Sequence, residues 1–314
     1  MENLIFSINS TLPVFLVMAA GWVLRRLGFL PPAFCTAADK LVFKVTLPIM
    51  LLCDMASVDL LHDFDGKYVG FCFGATIISI LVIWGLAHRF LRDKTLVGEF
   101  VQCSYRSSAA ILGVAFIQNI YGTAGAAPLM ILGSVPLFNV FAVTILTVEN
   151  PARIGKLHPS TVLRGVVTNP IILGIAAGAV VSLLPFELPV LVNKTFDSIA
   201  SLTSPLALLS LGASFEGARA VRKLAPTLVA AFCKVVVLCA VFLPAAVALG
   251  FRDQQLVALL VMLGSPTTPT SYIMAKNMGH EGVLSASVTV VTTLLSALTL
   301  TMWIFLLRSG GYIA

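Results

Sequence analysis

Long apolar runs separated by short polar segments organise this chain from end to end. A helix crossing a bilayer needs roughly 20 mostly apolar residues. Ten such runs fall near 8–27, 40–57, 67–90, 99–121, 126–148, 161–184, 195–215, 224–250, 254–278 and 283–307, the second and seventh short and partly polar. The polar stretch Glu149–Ser160 (ENPARIGKLHPS) separates five runs from five. The pattern predicts an all-α integral membrane protein of ten transmembrane helices in one membrane domain with two halves, 1–150 and 151–314.

The halves repeat one another. A shift of 157 residues aligns TLPVFLVMAAG, Thr11 to Gly21, with TNPIILGIAAG, Thr168 to Gly178, identical at six of eleven positions. With the same offset Phe29 meets Phe186, Pro32 meets Pro189, and Thr46, Pro48, Leu51 and Leu52 meet Thr203, Pro205, Leu208 and Leu209; Asn119 and Asn277 match at an offset of 158. Two prolines matching at one constant offset argue against chance similarity of apolar helices. Five spans per half is an odd number, so the second half inserts upside down. Inverted repeats of this kind typify secondary transporters, whose two halves exchange conformations around a central site.

Composition agrees with lipid as the solvent: 58% of the residues are hydrophobic, 11% are charged, and the mean hydropathy is +0.99. Soluble domains run near 45–50% apolar and about a quarter charged. The net charge of +6 is spread over short inter-span clusters with no basic helix bearing interleaved aromatics, which argues against nucleic acid. Segments after odd-numbered spans carry Arg25, Arg26, Arg89, Arg92, Lys94, Arg153, Lys156, Arg164, Arg219, Arg222 and Lys223; the other side carries Lys67, Lys194, Arg252 and Arg308, with Asp54, Asp59, Asp63 and Asp65 crowding the second loop. The positive-inside rule then makes the odd loops cytoplasmic and places both termini outside. Arg25 and Arg26 follow the first apolar run, an order that favours a retained span over a cleaved signal peptide. Six scattered cysteines and four scattered histidines lack disulfide or metal-ligand spacing, so neither a metal nor a cofactor is expected.

Candidate chemistry concentrates in two spans. The ninth contains GSPTTPTS, Gly264 to Ser271, with Pro266 and Pro269 among the hydroxyls of Ser265, Thr267, Thr268, Thr270 and Ser271. Proline removes a backbone donor and clashes with the preceding turn, so the helix is expected to break. Irregular backbone at membrane depth is tolerated where protein or a water-filled cavity satisfies it. A break also directs a half-helix N-terminus inward, where it attracts anions. The plainer alternative is a proline kink in an inert helix. In the fourth span Ser104, Arg106, Ser107 and Ser108 interrupt the apolar run at matching depth. Two readings stand for Arg106: it faces a cavity and attracts a carboxylate, or it snorkels to the interface. Asn139 in the fifth span faces the fourth span or the substrate. Lys234 lies about ten residues into the eighth span, deep enough to require a carboxylate or carbonyl partner. Asp39, Lys40, Lys44 and Asp197 lie near span ends, where interfacial anchoring is the plain reading and a proton-relay role for Asp39 or Asp54 the sharper one.

The ordered set TLPVFLVMAAGWVLRRLGFL, KVTLPIMLLCDMA, NPIILGIAAG, SPLALLSLGASFEG, GSPTTPTSYIMAKNMG and the Ser/Thr-rich tenth span ending TLTMWIFLL resembles the auxin efflux carrier family, whose bacterial members include organic-acid and malonate permeases. The resemblance covers essentially the whole chain. It implies a ten-helix inverted-repeat fold with spans 4 and 9 broken and crossing near the membrane centre. It further implies an elevator, with spans 3–5 and 8–10 moving against spans 1, 2, 6 and 7. By position, Ser107, Ser108, Ser265 and Pro266 would flank a site for a carboxylate anion. Coupling to protons or sodium and a homodimer also belong to what the resemblance suggests. One departure stands out: relatives often carry Asn followed by a Gly-x-Pro turn in span 4, and this chain reads RSSAAILGVAF.

The expected function is therefore a cell (inner) membrane carrier for a small organic anion. The expected substrate-binding residues are Arg106, Ser107, Ser108, Asn139, Ser265, Pro266, Thr267, Thr268 and Pro269. The competing classes are a membrane-embedded enzyme, a channel and a receptor. An enzyme needs a metal motif, a Ser/His dyad or a His cluster in one cavity, and the histidines here sit in different loops. A channel usually draws its pore from oligomer symmetry and a filter loop.

Overall fold

The computed structural model describes residues 2–57, 65–123, 125–151, 158–183 and 188–313. The acidic Asp59 and Asp63, the centre of the 149–160 linker and Phe186 lie outside the described residues.

Every element found among the described residues is helical. The chain opens with α1 (Glu2–Arg26), then α2 (Pro32–Leu41), which runs through a π-helical turn at Val42–Thr46 into α3 (Leu47–Ala56). Next come α4 (Gly66–Phe90), α5 (Val97–Tyr105), α6 (Ala109–Tyr121) and α7 (Ala127–Val148). The second half holds α8 (Pro159–Val167), α9 (Pro170–Ser182), α10 (Val190–Ala200), α11 (Thr203–Ala213) and the short α12 (Gly217–Arg222). It ends with α13 (Leu224–Phe232), a second π-helical turn at Cys233–Val237, α14 (Leu238–Ala248), α15 (Asp253–Gly264), α16 (Thr270–Asn277) and α17 (Val283–Ser309).

Among the described residues, five helical stretches are long and apolar enough to cross a membrane: Gly66–Phe90, Ala127–Val148, Val190–Ala213, Leu224–Ala248 and Val283–Ser309. Their sidedness is that of a lipid-solvated protein. On α4, Ile78, Leu81 and Val82 are exposed while Thr76 and Ser79 are buried, because in lipid the apolar face turns outward and small or polar side chains mediate packing.

Local chemistry sets the element boundaries. Asp65 caps α4, its carboxylate accepting the amides of Lys67 at 3.0 Å and Tyr68 at 3.1 Å. The sixth apolar run, expected to be continuous, is interrupted at Asn169-Pro170. The residue before a proline is pushed out of the helical region, and Asn169 turns that to use by accepting the Ile171 amide at 3.0 Å as the cap of α9. A milder interruption at Ser201–Leu202 separates α10 from α11. The expected starts of spans 2 and 7 fall late: the helices begin at Pro32 and Val190, since prolines initiate helices well and polar residues such as Asp39 and Asn193 are carried inside them.

The helices sort into two groups. In one, α3 lies along α9, α1 along α11, and α2 and α10 complete the packing. The α1–α11 contact is so close that a Cβ at Gly21 would strike the Leu209 carbonyl, and in α3–α9 a Cβ at Gly178 would strike the Leu52 carbonyl. Both partners of the first contact lie 157 positions from their counterparts in the second. The other group contains α4–α7 and α13–α17 and is laced by polar links between distant segments. Gln255 Nε2 donates to Asp65 at 3.0 Å, Tyr68 to the Gln255 carbonyl at 3.0 Å, Trp84 to Glu149 at 2.8 Å, and Asn150 to the Met278 carbonyl at 2.8 Å. Between the groups, α1 runs along α17 and α16 packs on α2 and α11.

Candidate functional site at the crossing of two interrupted helices

The fourth apolar run is helical to Tyr105, extended at Arg106 (φ −70°, ψ 131°) and helical again from Ala109. The ninth is helical to Gly264, extended at Ser265 (φ −69°, ψ 158°) and helical again from Thr270. Both expected breaks are present, and they meet. The Ser108 amide donates to the Pro266 carbonyl at 3.0 Å, so the two strands of irregular backbone satisfy one another.

The last turns of α5 and α15 leave carbonyls without intrahelical partners. A hydroxyl from the opposite break supplies each: Thr267 Oγ1 donates to the Cys103 carbonyl at 2.8 Å, and Ser107 Oγ donates to the Met262 carbonyl. Lys234 adds a third donor. Its fully buried ammonium reaches the Leu263 carbonyl and lies 3.4 Å from that of Met262, the carbonyl partnership its depth demands. Among the described residues no side chain caps α6 or α16, although the Ser271 and Tyr272 amides of α16 are taken by the Thr268 and Pro269 carbonyls.

Arg106 sits at this junction, 3% exposed, which removes the snorkelling alternative. Its Nη2 donates to Asn139 Oδ1 at 2.7 Å and to Thr270 Oγ1 at 3.2 Å, and its Nη1 points at the Met274 sulfur. Asn139 is held in turn by its own helix, Nδ2 donating to the Val135 carbonyl at 2.9 Å. No carboxylate among the described residues pairs with the guanidinium. A cavity of about 40 Å³ opens beside it, lined by Arg106, Ser107, Ser108, Asn139, Thr268 and Thr270, with Asp54 and Met50 contributed by α3. At about 10–15 Å³ per water, that is space for a carboxylate-sized group.

Of the nine residues expected to form the site, Arg106, Ser107, Ser108, Asn139 and Thr268 line the cavity. Pro266 and Thr267 instead hold the two breaks together, and Pro269 precedes the first turn of α16. The buried Ser265 hydroxyl finds no partner among the described residues. Asp39 is corrected: it is buried at 6% exposure with its carboxylate on Ser210, not an interfacial anchor. Its helix begins eight residues earlier than the apolar run suggested.

Two polar residues escaped notice in the sequence. Gln102 Nε2 donates to the Ser271 carbonyl at 2.8 Å, fastening α5 to the start of α16. Glu99, 1% exposed, accepts the Gly282 amide at 2.9 Å, the Ser285 amide at 2.8 Å and the Ser285 hydroxyl at 2.9 Å, capping α17 from another helix. Gly282 has φ +79°, a conformation glycine adopts without cost, and offers no side chain to do that capping itself. Asp54, read in the sequence as one of the acids of the second loop or as a proton relay, lines the cavity from α3.

Fold and crossing together define a polytopic, all-α membrane protein with two interrupted helices joined at their breaks. The family pattern described as "Membrane transport protein" matches residues 6–304. The chain belongs to that family, the auxin efflux carrier family its motifs resemble. It is similar to a Rhizobium meliloti (strain 1021) protein named "Putative malonate transporter", with 24% identity over 309 residues covering 96% of this chain and 95% of the relative. Membership of a transporter family sets the enzyme class aside, and the described residues hold no group of three or more metal-ligating side chains.

Proposed function

We propose that the protein is a secondary carrier for a small carboxylate anion, bound where the two breaks cross. The observation that carries this reading is Arg106: a buried guanidinium facing a cavity, hydrogen-bonded to Asn139 and Thr270 and paired with no carboxylate among the described residues. An arginine at membrane depth costs at least ~2.5–3.5 kcal/mol on insertion scales. A bound carboxylate would offset that cost through two parallel charge-assisted hydrogen bonds. The N-termini of α6 and α16 add their partial positive charge to the same place. Ser107, Ser108, Thr268 and Asn139 complete the polar lining, while Ser265, Pro266, Thr267 and Pro269 shape the break. The name of the malonate-transporter relative supports a short mono- or dicarboxylate.

The finer architecture belongs to the same proposal. Ten spans form two inverted five-helix repeats, with both termini on the non-cytoplasmic side of the cell membrane. The paired glycine contacts, Gly21 on Leu209 and Gly178 on Leu52, are what such a repeat produces. The polar lacing within α4–α7 and α13–α17 suits a unit that moves as one body against α1–α3 and α8–α11, an elevator. Proton or sodium coupling and a homodimer remain part of this reading through the family.

A thermal-shift series of small mono- and dicarboxylates on the purified protein tests binding, because a ligand selective for the folded state raises Tm. Counterflow in proteoliposomes tests transport. Saturable uptake accelerated by the same acid on the far side is expected. Linear, non-saturating flux would assign the protein to the channels, and binding without flux to the receptors.

A further inference from the structure

At the boundary between the two helix groups, one contact and its counterpart are related by the spacing of the halves. On one side of the crossing, the Asp39 carboxylate of α2 accepts the Ser210 hydroxyl of α11, and the Asp39 backbone carbonyl accepts Nδ2 of Asn277, the last residue of α16, at 3.2 Å. On the other side, the Cys53 thiol of α3 faces the Asp197 carboxylate of α10. Cys53 lies 157 positions before Ser210, and Asp197 lies 158 after Asp39. The residue matching Asn277 is Asn119, 158 positions earlier, in the last turn of α6.

There the likeness ends. Asn277 is half-buried and bonded across the boundary, whereas Asn119 and Asp197 are exposed. The half-helix α16 packs on α2 and α11, whereas α6 packs on α7 and α15 within its own group. In this conformation the end of α16 is bonded to α2, whereas Asn119 at the end of α6 is exposed.

We propose that Asn277 with Asp39, and Asn119 with Asp197, are two alternating latches, the first closed in this conformation and the second closed in the opposite-facing one. When α16 leaves α2, the Asn277 amide releases the Asp39 carbonyl. When α6 reaches α10, the Asn119 amide donates to the Asp197 carbonyl. Ser210 and Cys53 tie each aspartate side chain to the fixed group, so that the carbonyl stays in place to be met. Matched latches give the two end states similar free energies, the condition under which a small ligand can shift their populations. The proposal rests on the inverted-repeat carrier reading, and it assigns positioning residues that act through the helices rather than on the substrate.

Two native thiols report on the two sides. Cys35, 6% exposed, lines a cavity of about 300 Å³ beside Tyr272 and Lys276 on the Asn277 side, and Cys53 is half-buried on the other. The test is the rate of maleimide modification of each, resolved by peptide mass spectrometry, in wild type, Asn277→Ala, Asn277→Asp and Asn119→Ala. Asn277→Asp keeps the shape and removes the donor, which covers the case in which the alanine variant fails to fold. Both Asn277 variants also lose the bond from Nδ2 to the Ile273 carbonyl of α16 itself, but only the Asp39 bond crosses the boundary. Its loss is expected to raise Cys35 modification about fivefold and to lower that of Cys53. Asn119→Ala is expected to leave Cys35 protected and Cys53 at or above its wild-type rate. Cys35 and Cys53 moving together, or wild-type rates in both Asn277 variants, would overturn the latches. Thermal shifts with malonate and acetate on the same samples separate the two readings: absence of binding counts against the carrier site, while binding with unmoved thiols counts against the latches alone.

Discussion

The two breaks reach the same geometry from different sequences. Each first half-helix ends on an extended residue, Arg106 or Ser265, with nearly the same φ, and each break sends a hydroxyl to the last-turn carbonyl of the other. The ninth run breaks because Pro266 and Pro269 cannot continue a helix. The fourth has no proline, and its break is held by what it meets: the Ser108 amide on Pro266 and the Arg106 guanidinium on Asn139 and Thr270. The two buried cations differ in the same way. Lys234 is spent on the carbonyls of α15, whereas Arg106 keeps its charge turned to a cavity. One break is dictated by covalent structure and the other by tertiary contacts, so one should survive perturbations that abolish the other.

That contrast can be broken most severely at the prolines. Replacing Pro266 and Pro269 together with alanine lets the ninth run close into one helix and removes the partner of the fourth. Uptake into proteoliposomes is expected to fall by about 100-fold or more, the price of an unformed site, with a folded, monodisperse protein; wild-type uptake would show that the break is dispensable. Next, Arg106→Gln should weaken the apparent affinity for the transported carboxylate by roughly 10- to 100-fold, the worth of charge-assisted hydrogen bonds of about 1.5–3 kcal/mol. Arg106→Lys should recover part of the loss, and concentration-dependent uptake reads both. Lys234→Met should act on stability instead. Stripping the Leu263 carbonyl of its donor costs about 1–3 kcal/mol, read as a lower Tm with substrate affinity within a few-fold of wild type. The smallest effects are expected from Ser107→Ala and Thr267→Val, about 1 kcal/mol each. Near-equal losses of Tm would sharpen the equivalence of the two breaks, and a large inequality would show which one leads.

Much of this architecture was legible because membranes impose simple rules. Apolar length located the helices, though the starts of the first, second and seventh runs fell five to eight residues late. The break at Asn169-Pro170 was missed, and proline placed the break at Pro266. Arg106 and Lys234 were conspicuous because charge is costly at that depth. What could not be read was partnership. Glu99 drew no expectation, because the groups that meet it, Gly282 and Ser285, are remote in sequence. Asp39 looked interfacial because its helix starts at Pro32, among polar residues that hydropathy discounts. The division of labour within the hydroxyl cluster was equally hidden: Thr267 ties the breaks while Thr268 lines the cavity, and only three-dimensional packing decides which neighbour faces which way.

The Glu99 clamp also bears on how the chain is made. Its carboxylate enters the bilayer with α5, yet Gly282 lies 183 residues and Ser285 186 residues further along. Throughout synthesis of the intervening helices that acid must be sheltered, by the insertion machinery or by delayed burial of the segment. The nascent first half is thus an unfinished object, and its assembly is completed only when the final helix arrives to be capped.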